Sequence, residues 1–180
     1  MGSYVVLTAV GHDRPGLVDE ISAFLTAAKI NIENSRMAVL GGEFAVILLA
    51  SGEAETVDGM RGKLAALEKS TGLAIQLKPT LAPRERMLVP SMPHRLQATS
   101  MDHPGIVHEI TRILHKRNIN IESMETRVTN APVSGAPIFR MKCIINVPVG
   151  EKLSSLRREL EKLADRMDID IEIDAAEAYQ

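Results

Sequence analysis

The chain repeats itself, and no other feature of its sequence constrains the fold as much. Asp13-Arg14-Pro15-Gly16 returns 89 residues later as Asp102-His103-Pro104-Gly105. Ile30-Asn31-Ile32-Glu33 returns letter for letter as Ile119-Asn120-Ile121-Glu122. Between 13–34 and 102–123, 11 of 22 positions are identical, which chance does not supply. The 180 residues therefore hold two copies of a unit of roughly 80–90 residues, an ordinary domain size.

Periodicity gives each copy the same order of elements. In the first, Tyr4 to Val10 is β-branched and apolar and reads as a strand. Leu17, Val18, Ile21, Phe24, Leu25 and Ala28 recur at helical spacing. Asn31 to Leu40 alternates, Gly41-Gly42 suits a tight hairpin turn, and Phe44 to Ala50 is a continuous apolar strand. Val57, Met60, Leu64 and Leu67 mark a second helix, and Leu73 to Leu77 a last strand. The second copy runs through strand Leu96 to Ser100, a helix with Ile106, Val107, Ile110, Ile113 and Leu114, and strand Ile121 to Thr129. Strand Ile138 to Val147, a helix from Leu153 to Met167 and strand Asp170 to Ile173 follow. Its second helix matches at an offset of 96, so seven extra residues precede it, and the loop-forming run 130–137 is where they belong. Four prolines (Pro79, Pro83, Pro90, Pro93) mark a stiff connection. The expected division is a domain at 1–80, a proline-rich linker at 81–93 and a domain at 94–175. Beyond it, the tail carries no strong signal.

The order βαββαβ is that of the split-βαβ, ferredoxin-like fold, an α+β architecture with two helices on one face of a four-stranded antiparallel sheet. The first strand puts Val5, Leu7 and Ala9 on one face and Val6, Thr8 and Val10 on the other, and Phe44 to Ala50 is apolar on both. The second face of that sheet is accordingly expected to be covered in part, by the other copy or by another chain.

The repeated loop between first strand and first helix is the best candidate for chemistry. Aspartate can cap a helix start, proline suits the first turn, and glycine lets a ligand approach the backbone. Free N–H groups at a helix start suit an anion. A ligand carboxylate on the N–H groups of Gly16 and Leu17, with its ammonium at Asp13 or Asn31, would identify an α-amino acid by its two charges. On spacing alone, the same turn is first of all a good helix start.

A strand, then Asp-x-Pro-Gly-[Leu/Ile]-Val, an amphipathic helix, then Asn-Ile and a strand, resembles the ACT domain family, and it does so twice. The resemblance implies ligand-binding regulatory modules, most often for amino acids, whose ligands sit between domains against the first strand–helix loop and the start of the second strand. Residue by residue it implicates Asp13, Arg14, Gly16, Leu17, Asn31 and Ile32 in the first copy. In the second it implicates Asp102, His103, Gly105, Ile106, Asn120 and Ile121. Arg14 and His103 occupy the variable position of the motif, so the copies need not bind alike. Two such domains with no enzyme attached resemble the glycine cleavage system transcriptional repressor group, which implies action on transcription or metabolism through a partner regulator, and a homodimer.

Other function classes fit poorly. Formal net charge is −2, residues 1–82 carry 7 basic and 9 acidic residues, and 94–180 carry 12 and 13. Neither half is a basic block for nucleic acid, and aromatics for base stacking are few. The lone Cys143 in an apolar run reads as a small buried hydrophobe, and with one cysteine no disulfide or cysteine-based zinc site arises. His108 and His115, seven apart, lie roughly 10 Å apart along a helix and cannot share a metal unaided; His12 and His103 lie in the ligand loops, where they could tune a site's charge near neutral pH. No nucleophile–base constellation, cofactor motif, signal peptide or membrane-length apolar run is present. The expectation is a cytoplasmic, non-enzymatic sensor of a small molecule, without cofactor, metal, direct nucleic-acid contact or membrane span. The rival reading is a structural dimerisation module with no ligand.

Overall fold

The computed structural model describes residues 2–85 and 89–176. The chain divides into two compact units, Met1–Met87 and Leu88–Gln180. The middle of the proline-rich connection, 86–88, and the tail 177–180 lie outside the described residues.

In the first unit, β1 (Gly2–His12), α1 (Leu17–Ala27), β2 (Asn31–Leu40) and β3 (Glu43–Glu53) are followed by α2 (Ala54–Arg61), α3 (Leu64–Thr71) and β4 (Ala74–Thr80). The sheet order is β2-β3-β1-β4 with antiparallel neighbours. In the second, β5 (Ser91–Met101), α4 (Ile106–Lys116), β6 (Asn120–Asn130), β7 (Pro137–Pro148), α5 (Leu153–Met167) and β8 (Ile169–Ala175) repeat the plan, in the order β6-β7-β5-β8. The expected element order and α+β class stand. No helix among the described residues is long and apolar enough to cross a membrane.

Strand parity sets the core. Val5, Leu7 and Ala9 are at most 1% exposed and pack against Leu17, Ile21, Leu25, Val57, Met60 and Leu67 from the helices. In the second unit Leu96, Ala98, Met141, Cys143 and Ile145 meet Ile110, Leu114, Leu156, Leu160 and Leu163. Each sheet thus buries one face under its own helices. On the other face of the first sheet, Val10 and Ile47 are about half exposed.

Several boundaries differ from the sequence expectation. The second helix of the first copy is two helices, broken at Gly62-Lys63, where the Lys63 N–H donates to the Met60 carbonyl at 2.9 Å. Gly59 and Gly62 supply the weakness, since glycine costs about 1 kcal/mol in a helix relative to alanine. The second copy has neither glycine, and α5 is continuous over 15 residues. Strand β5 begins at Ser91, five residues before the apolar alternation starts, because its early residues pair with the end of β7 (Met92 with Val147, His94 with Ile145). The β2–β3 turn is Gly41-Gly42, both at positive φ, whereas residues 131–136 make the longer β6–β7 connection.

Candidate functional site

Both repeated loops start a helix in the same way. Gly16 and Gly105 occupy the N-cap positions at φ 97° and φ 102°, the left-handed region that favours glycine. No side chain caps either helix. Asp13 and Asp102 are therefore not the caps expected from sequence, and Pro15 and Pro104 precede the N-cap rather than opening the first turn. The aspartates instead tie down the loops by their backbones: the Asp13 N–H donates to the Gly42 carbonyl and the Asp102 N–H to the Pro137 carbonyl, each at 2.9 Å. The side chains of Leu17 and Ile106 are buried in the cores at 2% exposure, so only their backbone N–H groups can face a ligand.

The loops and the strand starts do not meet within a copy. Strand β1 ends at the row pairing His12 with Glu43, while β2 begins at the row pairing Asn31 with Ser51. Eight residues of β3 separate those rows, roughly 26 Å at strand rise. Asp13 and Asn31, the two alternatives for the ammonium of a ligand whose carboxylate rests on the Gly16 loop, stand at opposite ends of the sheet, and only Asp13 lies beside that loop. The same holds for Asp102 and Asn120, whose partners on β7 are Pro137 and Asn146. The β-bulge that interrupts the register lies between Ile32 and Asn34, and again between Ile121 and Ser123. It falls on Glu33 and Glu122, a structural reason for the repeated Ile-Asn-Ile-Glu. Glu33 accepts from the Ser51 hydroxyl and from Asn31 Nδ2, and the two bonds hold its carboxyl below the usual range.

The copies differ most at the variable loop position. Arg14 forks onto Glu20, Nη1 to Oε1 at 2.6 Å and Nη2 to Oε2 at 3.0 Å, and Nη2 also donates to the Ser70 carbonyl at 3.2 Å. This hydrogen bonding lowers the Glu20 carboxyl and raises the Arg14 guanidinium. A Cβ placed on Gly16 would lie 3.6 Å from Glu20 Oε1 and 3.8 Å from Arg14 Nη1, so the ion pair covers the helix start. Over Gly105 a Cβ would meet nothing within 4 Å. His103 makes one local contact, Nδ1 to the Pro104 carbonyl at 3.2 Å.

A groove of about 470 Å³ runs between α4 and the start of β6, where His108, Thr111, Arg112 and His115 from the helix face Asn120 and Ile121 from the strand. Arg112 donates to Glu109 at 2.7 Å, and Arg166 donates to the same Oε2 at 2.9 Å, so two guanidiniums share one carboxylate. Arg112 Nε is shielded from solvent and has no hydrogen-bond partner among the described residues. The equivalent positions of α1 are Asp19, Ser22, Ala23 and Thr26, with no cation. Sequence reasoning picked out Asn120 and Ile121 but passed over Arg112, and set His108 and His115 aside as too far apart to share a metal. The signal was the divergence between copies along one helix face. Among the described residues no group of three His, Cys, Asp or Glu side chains forms a metal site.

The ACT domain family matches residues 3–78 and again 94–165, together most of the chain. The glycine cleavage system transcriptional repressor of Escherichia coli (strain K12) is 28% identical over 166 residues, spanning 91% of this chain and 85% of that protein. Among solved structures, an unknown protein from Galdieria sulphuraria has a TM-score of 0.83 at 27% identity, covering 98% of this chain and 100% of that one. A protein provisionally assigned as a glycine cleavage system transcriptional repressor has a TM-score of 0.73 at 25% identity, with 99% of each chain covered. With two helix-starting glycine loops, two βαββαβ sheets and a family match over each, this chain belongs to the ACT domain family as a tandem pair.

Proposed function

We propose that the chain is a cytoplasmic, non-enzymatic regulator whose second copy takes the ligand, a small molecule with a carboxylate such as an amino acid, and which acts on transcription or metabolism through a partner protein. The observation that carries this reading is the groove beside α4. It offers an arginine with an unmatched N–H, two imidazoles and the Asn120 amide, and the first copy has lost all but the asparagine. A charged N–H shielded from water without an acceptor is costly, and a ligand carboxylate supplies that acceptor. The uncovered N–H groups after Gly105 are a second place for an anion, whereas Arg14 and Glu20 close the corresponding place in the first copy. Because loop and strand start lie at opposite ends of each sheet, a ligand touching both takes the loop from one domain and the strand start from another, which fits ligands held between ACT domains and a homodimer. To act as a signal, the ligand binds two arrangements of those domains with different affinity.

The similarity to a glycine cleavage system transcriptional repressor supports the regulatory role, and the lack of a basic block in either half of the sequence fits a partner that touches DNA in its stead. The test is thermal unfolding of the purified chain against the twenty amino acids and common purine and folate metabolites. A ligand at one hundred times its Kd adds about 2.7 kcal/mol of stability, and Arg112→Gln and Asn120→Ala should each remove most of the shift. The absence of any shift at millimolar concentrations would instead favour a structural dimerisation module.

A further inference from the structure

Duplication supplies an internal control for the groove beside α4, whose lining comes entirely from the second unit. At the offset of 89 its apolar wall and strand side are identical in the two copies: Leu114 with Leu25, Ile119 with Ile30, Asn120 with Asn31 and Ile121 with Ile32. The four polar positions that α4 contributes all differ. His108 stands where the first copy has Asp19, Thr111 where it has Ser22, Arg112 where it has Ala23, and His115 where it has Thr26. The scaffold was kept while its charge was reversed, from one acid and no cation to a guanidinium between two imidazoles. Packing does not call for that exchange, because both histidines are exposed and the Arg112 side chain is 40% exposed.

His108, Arg112 and His115 follow one another at i, i+4 and i+7, so each histidine lies roughly 5–6 Å from the arginine on one helix face. The described residues that line the groove include no carboxylate. Glu109, the acid next to His108 on α4, shares its Oε2 between Arg112 at 2.7 Å and Arg166 at 2.9 Å, so its charge is already met. Arg112 Nε still has no acceptor among the described residues. A guanidinium carries donors only, and an imidazole keeps at least one N–H in either tautomer. The ammonium of an amino acid meets no opposite charge here, only the Thr111 hydroxyl and the Asn120 amide oxygen. We infer that the ligand is a short dicarboxylate, with one carboxylate on Arg112 and the other on a flanking imidazole, and with an ammonium tolerated rather than required. One helical turn between donors suits the span of a succinate- or glutarate-sized chain, and guanidinium–carboxylate hydrogen bonds are of the strong, charge-assisted kind. This inference rests on the groove being the ligand site and names the class of molecule that it takes.

The test is isothermal titration of the full chain with succinate, glutarate, aspartate and glutamate. Each is paired with a probe that lacks the second carboxylate: propionate, butyrate, asparagine and glutamine. Every dicarboxylate should bind at least roughly tenfold tighter than its counterpart. His108→Gln with His115→Gln should remove most of that difference, and Arg112→Gln should weaken all the carboxylates, while circular dichroism shows an unchanged fold. Equal binding within the pairs, still lost in Arg112→Gln, overturns the dicarboxylate and leaves the groove as the ligand site. A preference that survives the double histidine variant overturns it as well. Binding untouched by Arg112→Gln overturns both the dicarboxylate and the groove. If no dicarboxylate binds at millimolar concentration the inference also falls, and the thermal screen then decides the groove.

Discussion

Arg14 and Arg166 hold the same glutamate of the repeat from two different elements. Arg14 reaches Glu20 from the loop before α1 and continues to the Ser70 carbonyl near the end of α3. Arg166, near the end of α5, reaches Glu109 directly. At the offset of 96 that relates the second helices, Arg166 stands where the first copy has Ser70. The tie between the two helices has been kept, and the arginine that makes it has changed sides.

That exchange predicts compensation. Arg14→His should lower the melting temperature modestly, because the pair is partly exposed and exposed pairs contribute little. Ser70→Arg added to Arg14→His should restore it. Melting curves of the two variants and wild type check this, and a double variant no more stable than Arg14→His would refute it.

Acid should act on the second copy through Glu109. Hydrogen bonding to Arg112, reinforced by the charges of Arg112, Arg166 and His108, holds its carboxyl below the usual range against a smaller opposing effect of desolvation. A carboxylate depressed in the folded state stabilises above its unfolded pKa, and that contribution is lost as the pH falls through the lower folded value. Stability should therefore decline from the ordinary carboxylate range downward, and Glu109→Gln should flatten the decline. Urea midpoints measured across acid pH decide the matter.

Arg117 binds the second copy's helices together. It donates to Glu151, to Glu159 at 2.9 Å and to the Ser155 hydroxyl at 3.1 Å, with its side chain only 18% exposed. Arg117→Ala leaves two partly buried carboxylates without their donor and should cost about 1.5–3 kcal/mol. The first copy has Ala28 at that position, and its second helix is broken. Denaturant unfolding gives the value, and a loss under roughly 0.5 kcal/mol would mean that water replaces the arginine.

Two glycine substitutions should have opposite signs. Gly62 has an ordinary helical φ of −67°, and its added Cβ would come no nearer than 3.9 Å to the Gly59 carbonyl. Gly62→Ala should stabilise by about 0.4–1 kcal/mol through the unfolded chain. At Gly11 the added carbon would lie 2.9 Å from Leu73 Cδ2 and 3.1 Å from the Gly72 carbonyl, so Gly11→Ala should cost about 1–3 kcal/mol. Thermal and denaturant unfolding of both variants test the pair.

Cys143 should report unfolding. It is 3% exposed, and burial pushes its thiol up to about 11, so little reactive thiolate exists near neutral pH. A thiol reagent should label it at the rate at which the second domain opens. Fast labelling of the native protein at neutral pH would contradict this.

The elements could be read because period 2 and period 3.6 leave different marks, and because the duplication gave each reading a second witness. The break after Gly62 was signalled by two glycines inside one apparent stripe. The geometry of the site was harder to read. Motifs near each other in sequence suggest nearness in space, yet a βαβ crossover makes β1 and β2 run the same way, so the loop after one and the start of the other must lie a sheet's length apart. The Arg14–Arg166 exchange was hidden because its parts follow different offsets, 89 for the loop and first helix and 96 for the second helix. Arg112 left only a single-letter signal, a cation where the first copy has Ala23.

The separation of Asp13 from Asn31 decides how changes at the two positions combine. A molecule the size of an amino acid cannot touch both the loop after β1 and the start of β2 of one sheet, because eight residues of β3 lie between the rows that hold them. The two places are too far apart to share a partner. Substitutions at Asp13 and Asn31 therefore act independently, and their effects on stability should add.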